Sequence, residues 1–130
     1  MNKQEIIQKI QALGFPEEDY WLVTGGAMVL YGIRNETHDI DLGCSRKLAD
    51  RLEAEGYLTK RYPDGTRKVE MPGDIELFED WLFDRVDTID GVPVISIKGL
   101  IMMKESLGRA KDMSDLALIR VFLAHQQEQV

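Results

Sequence analysis

Asp39 and Asp41 stand two residues apart in a stretch, His38 to Gly43, where polar and apolar residues alternate and Ile40 and Leu42 take the other parity. That alternation is the period of a half-buried strand, so both acids share one face. At a rise of about 3.3 Å per residue their Cα atoms lie roughly 6.6 Å apart, which lets both carboxylates reach one metal ion. An isolated Asp-x-Asp is more often a solvated sheet face, so its neighbours decide the reading. Upstream, Gly25-Gly26 separates the apolar run Tyr20-Trp21-Leu22-Val23-Thr24 from the short helical stretch Ala27 to Tyr31. A glycine pair between strand and helix lets backbone approach a ligand closely and aims helix N-terminal amides at an anion, phosphate being the first candidate. The plainer alternative is a tight turn that needs positive φ.

Glu76 supplies a third acid, in the alternating segment Asp74-Ile75-Glu76-Leu77-Phe78 that reads as a strand beside the first acidic one. Three carboxylates can hold two Mg²⁺ (or Mn²⁺) ions, one carrying a triphosphate and one lowering the pKa of an attacking hydroxyl, with Glu76 as ligand and proton acceptor. Asp74 shares the parity of Glu76, and alternation alone does not choose between them. Lys104 and Lys111 suit polyphosphate contacts, although i,i+3 or i,i+4 pairing with Asp112 or Asp115 explains them equally well. Arg34 and Thr37, just ahead of the acidic strand, either touch phosphate or brace their loop. His38 reads as a hydrogen-bond partner rather than a proton shuttle. Met102, Met103 and Trp81 read as core or rim, with the aromatic able to cover a nucleobase.

The elements that must position these groups follow from periodicity. Ile6, Ile7, Ile10 and Leu13 at helical spacing, stopped by Gly14, predict a helix over residues 3 to 13. Ser45 caps a predicted helix over Arg46 to Glu55, with Gly56 as its stop. Tyr57 to Arg61 and Thr66 to Met71 form a hairpin across Pro63-Asp64-Gly65, and Asp90-Gly91 turns between two further strands. Ser96 caps a helix through Leu100, Ile101 and Met103, and a last helix runs from about Asp112 to Gln127. The expectation is an α/β (α+β) chain, a mixed sheet flanked by helices, as one domain over residues 1–130.

Composition agrees with that expectation. Hydrophobic residues at 44% and charged residues at 30% suit a globular chain and exclude a disordered one. No apolar run reaches membrane-spanning length and Met1 to Glu5 lacks a signal-peptide pattern, so the expected address is the cytoplasm, with no membrane partner. A single cysteine, Cys44, rules out disulfide scaffolds and multi-cysteine zinc sites, and it reads as a half-buried structural thiol. A net charge of −7 argues against duplex DNA as a partner. It leaves room for a nucleotide held through divalent metal, backbone amides and one or two cations.

Val23-Thr24-Gly25-Gly26-Ala27-Met28-Val29-Leu30-Tyr31-Gly32, followed by Arg34 to Leu42 with Asp39-Ile40-Asp41, resembles the signature of the DNA polymerase β-like nucleotidyltransferase superfamily. The resemblance is to small bacterial members: aminoglycoside and lincosamide nucleotidyltransferases and the nucleotidyltransferase toxins. It implies the minimal nucleotidyltransferase fold. It also implies metal-dependent transfer of a nucleoside monophosphate from a nucleoside triphosphate, ATP among the candidates, to an acceptor hydroxyl. Gly25 and Gly26 would lie near the triphosphate, Asp39 and Asp41 on metal, and Glu76 would match the third acid. The tail resembles the family too, in Lys104 followed by Arg109, Lys111, Asp112 and Asp115. Antibiotic- and toxin-type members are expected to carry an added helical domain that this chain lacks. The acceptor, whether small molecule, RNA or protein, would then meet an open cleft or one closed by a second copy in a homodimer.

Rival readings fare worse. A phosphatase that begins with Asp-x-Asp wants threonine or valine where Gly43 stands, and a sugar-nucleotide glycosyltransferase needs a longer donor domain. The stronger alternative is a catalytically silent nucleotide-binding or regulatory module of the same fold. Intact acids at all three positions speak against it.

Overall fold

The computed structural model describes residues 1–128 and places their strands in one seven-stranded mixed sheet of order β3-β4-β5-β2-β1-β7-β6. The strands are β1 (Tyr20–Val23), β2 (Ile40–Cys44), β3 (Leu58–Arg61), β4 (Arg67–Met71), β5 (Ile75–Glu79), β6 (Val86–Ile89) and β7 (Val92–Ile95). The helices are α1 (Lys3–Leu13), α2 (Thr24–Tyr31), α3 (Arg46–Ala54), α4 (Ile97–Leu107) and α5 (Ala110–Glu128). Local chemistry fixes their ends. Asn2 and Glu5 form a capping box on α1, while Ser45 and Ser96 accept from the amides of Leu48 and Gly99 at 3.1 and 3.0 Å. Gly14, Gly32 and Gly108 close α1, α2 and α4 in the left-handed conformation.

The centre of the sheet carries the site. β2 pairs antiparallel with β1 and parallel with β5, so Asp41 lies opposite Val23 on one side and Glu76 on the other. Ile40, Leu42 and Cys44 of β2 and Ile75 and Leu77 of β5 are buried, while Asp41 and Glu76 take the opposite parity and stay half-buried. α2 packs on β1 and β2, α3 on β4 and β5, and α1 on α2 and β7. The core runs from Ile6 and Ile10 through Leu22, Met28 and Leu77 to Leu100 and Met103. Among the described residues no helix is long and apolar enough to cross a membrane.

Three expectations from sequence are corrected. Gly25 and Gly26 do not form a turn between strand and helix: both lie in the first turn of α2, and neither has positive φ. The positive φ, 52°, falls on Thr24, where a β-branched side chain makes it a strained outlier. Asp39 sits just ahead of β2 rather than on it. Asp74 leaves the strand altogether, at φ 61° in the turn before β5, so the parity it shared with Glu76 no longer applies.

Cys44 is fully buried rather than half-buried, and burial, helped by Glu79, pushes its thiol up to about 12. At pH 8 almost no thiolate exists in the folded chain. Ellman's reagent is therefore expected to leave Cys44 unmodified in buffer and to titrate one thiol in urea. A native reaction as fast as that of free cysteine would contradict this placement.

Candidate active site

A cleft of about 1200 Å³ opens beside the two central acids. One flank is built by Thr24 and Gly25 at the start of α2, by Arg34 and Thr37 of the following loop, and by Lys104, Arg109 and Lys111 from α4 and the start of α5. The other comes from the β3–β4 hairpin and the end of β5, where Tyr62 and Trp81 form the rim and Phe78 tilts against Trp81 at 4.9 Å between ring centroids. Trp81 is half-buried and lines the cleft, and its carbonyl accepts from the Trp21 indole at 2.9 Å.

The glycine pair serves close packing. A Cβ on Gly25 would come within 2.6 Å of the Thr37 hydroxyl and 3.2 Å of the Arg34 guanidinium, and one on Gly26 within 2.8 Å of Leu22. Without side chains the first turn of α2 is pressed between β1 and the Arg34–Thr37 loop, and its amides reach the cleft wall. The N-cap residue, Val23, supplies no side-chain cap, so those amides remain open to an anion. Gly43, where a phosphatase would want threonine or valine, lies under the Trp21 ring, which any side chain there would strike.

Asp41 is the electrostatic focus. Burial drives its carboxyl up from the ordinary carboxylate range; the Thr24 hydroxyl, donating at 2.8 Å, opposes that, Glu76 and then Asp39 add to the rise, and Lys104 pulls it back. Those contributions bring Asp39, Asp41 and Glu76 into one field, as strand spacing of about 4.8 Å between Asp41 and Glu76 requires. The three carboxylates still do not gather into a preformed cluster: among the described residues no three acidic, histidine or cysteine side chains are arranged to hold a metal ion. Glu76 is turned onto Lys68, at 3.1 Å, instead. Asp39 and Asp41 face the cleft, Asp39 exposed; Glu76 does not line it. The donor set fits a hard divalent cation of the Mg²⁺ type, which takes one or two carboxylates and completes its shell with phosphates and water.

The two lysines part company. Lys104 is buried, its ammonium 2.9 Å from Asp115 and 3.4 Å from Asp112, so it pairs across the α4–α5 corner rather than along one helix turn. Lys111 is exposed at the cleft and has no ion pair among the described residues. Arg34 pairs with Asp115, and Arg109 with Asp112 through its Nε at 2.7 Å. His38 lines the cleft without a hydrogen bond to either aspartate. Sequence reasoning missed Thr24, whose strain has no compositional signal, and Lys68, whose grip on Glu76 depends on strand register. It also missed the wall of Tyr62, Asp64, Thr66, Phe78 and Asp80.

No family model and no curated protein matches the chain. Solved structures do. A candidate nucleotidyltransferase from Thermotoga maritima superposes with a TM-score of 0.61 at 16% identity, covering 96% of this chain and 96% of that one. The lincosamide antibiotic adenylyltransferase LnuA, with lincomycin bound, gives 0.57 at 15% identity over 89% of this chain and 95% of that one. ANT(2″)-Ia in complex with adenylyl-2″-tobramycin gives 0.52 at 16% identity over 95% of this chain and 88% of that one. At such identities the likeness establishes the fold, and the chain has the nucleotidyltransferase fold expected from its sequence. The matched shares also leave little in those chains beyond the region this one matches, against the expectation of a large added domain.

Proposed function

We propose that this chain is a nucleotidyltransferase, moving a nucleoside monophosphate from a nucleoside triphosphate to an acceptor hydroxyl in a reaction that depends on Mg²⁺ or Mn²⁺. The observation that carries the reading is the juxtaposition of Asp41, backed by Asp39 and Glu76, with a cleft flank that holds both the open N-terminus of α2 at Gly25 and the cations Arg34, Arg109 and Lys111. Acids and cations lining one cleft suit a metal-bound triphosphate. Asp39 and Asp41 would hold a divalent cation, which would supply Lewis-acid activation and charge neutralisation for the triphosphate. The chain's own residues do the rest. The amides of Gly25 and Gly26, with Arg34, Thr37 and Lys111, bind the triphosphate, and Lys104 orders the wall behind it. Thr24 holds the Asp41 carboxylate by its hydroxyl. Glu76, once freed from Lys68, would serve as a third carboxylate for the metal and take the acceptor proton. The acceptor oxygen forms a bond to the α-phosphorus as the bond from that phosphorus to the pyrophosphate oxygen breaks.

A volume above the roughly 300–1,000 Å³ of ordinary ligand pockets suits two substrates side by side. The adenylyltransferase neighbours favour ATP as donor and a small hydroxyl-bearing molecule as acceptor, taken against Tyr62, Phe78 and Trp81. The work is cytoplasmic, in a single domain, without duplex DNA or membrane.

Thermal shift tests the donor half without knowing the acceptor. A triphosphate with Mg²⁺ at about 100 times its Kd adds roughly 2.7 kcal/mol, several degrees in Tm for a chain of this size, and EDTA should erase the shift. No shift with any of the four common nucleoside triphosphates in Mg²⁺ or Mn²⁺ would refute the reading. Lys111→Ala is expected to weaken triphosphate binding about tenfold, the worth of one hydrogen bond to a charged group, and to leave Tm without triphosphate unchanged. Unaltered triphosphate affinity in calorimetry would remove Lys111 from the site.

A further inference from the structure

Asp115 belongs to neither acidic strand, yet it lines the cleft as a buried carboxylate held on both oxygens. Its side chain is 8% exposed, and each of its oxygens is committed to a different cation: Oδ1 accepts from Arg34 Nη2, and Oδ2 from Lys104 Nζ at 2.9 Å. Lys104 is itself buried, at 4% side-chain exposure, and is anchored to Asp112, which also accepts from the backbone amide, Nε and Nη2 of Arg109. Two carboxylates thus hold three cations, leaving a cluster of net positive charge in the lining of the cleft that also holds Asp41.

Arg34 is the member of that cluster whose unused donors lie beside Gly25. Its Nη2 is taken by Asp115, its Nη1 lies where it would stand 3.2 Å from a Cβ on Gly25, and no protein acceptor among the described residues takes Nη1 or Nε. The planar guanidinium is therefore fixed at one corner while its remaining donors, beside the first turn of α2, are free for a bidentate oxyanion. An arginine on a loop otherwise loses rotamer freedom when it grips a ligand. Anchoring through a buried acid removes that cost before the ligand arrives.

Resting on the nucleotidyl-transfer reading, we propose that Asp115 is a positioning residue of the nucleotide site: by bridging Arg34 to the buried Lys104, it aims the Arg34 fork over Gly25 at the phosphates. Asp115 touches no substrate. Its effect passes through Arg34, so the two residues form one functional unit and their losses do not add.

The test is calorimetric, with each of the four nucleoside triphosphates in Mg²⁺ against the matching nucleoside, on the wild type, Asp115→Asn, Arg34→Lys and the double variant. Each single variant should weaken triphosphate binding about tenfold and leave nucleoside binding unchanged, and the double variant should bind no worse than the weaker single within twofold. A purely structural role would lower Tm and spare the triphosphate preference, and that result overturns the proposal. So does a double variant whose loss equals the product of the single losses. If Asp115→Asn does not fold, Asp115→Glu carries the same test, because it keeps the charge and displaces the fork; wild-type triphosphate affinity in that variant is equally fatal. A wild type that binds no triphosphate in Mg²⁺ or Mn²⁺ instead refutes the proposed function, which separates the two failures.

Discussion

Asp41→Asn is expected to abolish nucleotidyl transfer while leaving the fold intact or slightly more stable. The two signs come from one cause. In the folded chain the ionised carboxylate is disfavoured by burial first and then by Glu76 and Asp39, so its pKa lies above the unfolded value. The ionised form therefore costs stability at neutral pH, a cost absent below the unfolded pKa and fully present above the folded one. Asparagine removes the charge and keeps an oxygen to accept from Thr24. Its Tm should match or exceed the wild type at pH 7, with any gain vanishing in acid. Losing a metal-holding carboxylate forfeits several kcal/mol of transition-state stabilisation, about three decades in rate. A variant that keeps wild-type turnover would remove Asp41 from the chemistry, and one whose Tm falls by 10 °C or more would make it a structural residue.

Lys104→Met should act the other way, on stability before binding. Removing one partner of a buried ion pair leaves its acids unpaired, at a cost of about 3–5 kcal/mol, which for a chain of this size lowers Tm on the order of 10 °C. Asp112, wholly buried, would keep only Arg109, and Asp115 only Arg34. The same cluster sets the acid limb of stability. Arg109, by its hydrogen bond, holds the Asp112 carboxyl down at about 2. Its folded pKa lies below the unfolded value of about 3.9, so its stabilisation is complete above about pH 4 and disappears as pH falls toward 2. In urea titrations across that window Asp112→Asn should show a shallower loss than the wild type. A Lys104→Met chain with unchanged Tm would contradict the buried network.

What sequence could reveal divides along physical lines. Periodicity and caps placed α1, α3 and the β3–β4 hairpin to within a residue or so, because each is set by residues close in sequence: Asn2 with Glu5, Ser45 with Leu48, and the turn at Asp64-Gly65. The opposition of Asp41 and Glu76 was legible from parity and resemblance, and the parallel β2–β5 register puts the two side by side. Less legible was everything decided by packing at a distance. Alternation put Asp39 and Asp74 on strands, yet both fall just ahead of them, in the adjacent segments that enter the parallel β2 and β5. The Gly25-Gly26 pair was read as a junction between strand and helix that lets backbone approach an anion, with a positive-φ turn as the plainer alternative. Here it supplies absent volume instead, and the strain moves to Thr24. Lys104 and Lys111 looked interchangeable along the chain, and only the α4–α5 corner buries one and leaves the other at the cleft.

The most direct test of the account is a transfer assay with α-³²P-labelled nucleoside triphosphates, Mg²⁺ or Mn²⁺, and a panel of hydroxyl-bearing small molecules, RNAs and proteins. The expected result is a labelled acceptor formed with equimolar pyrophosphate, lost in EDTA and lost in the Asp39→Asn, Asp41→Asn double variant. The contradicting result is triphosphate binding that is unchanged in that double variant, with no label transferred by the wild type to any acceptor.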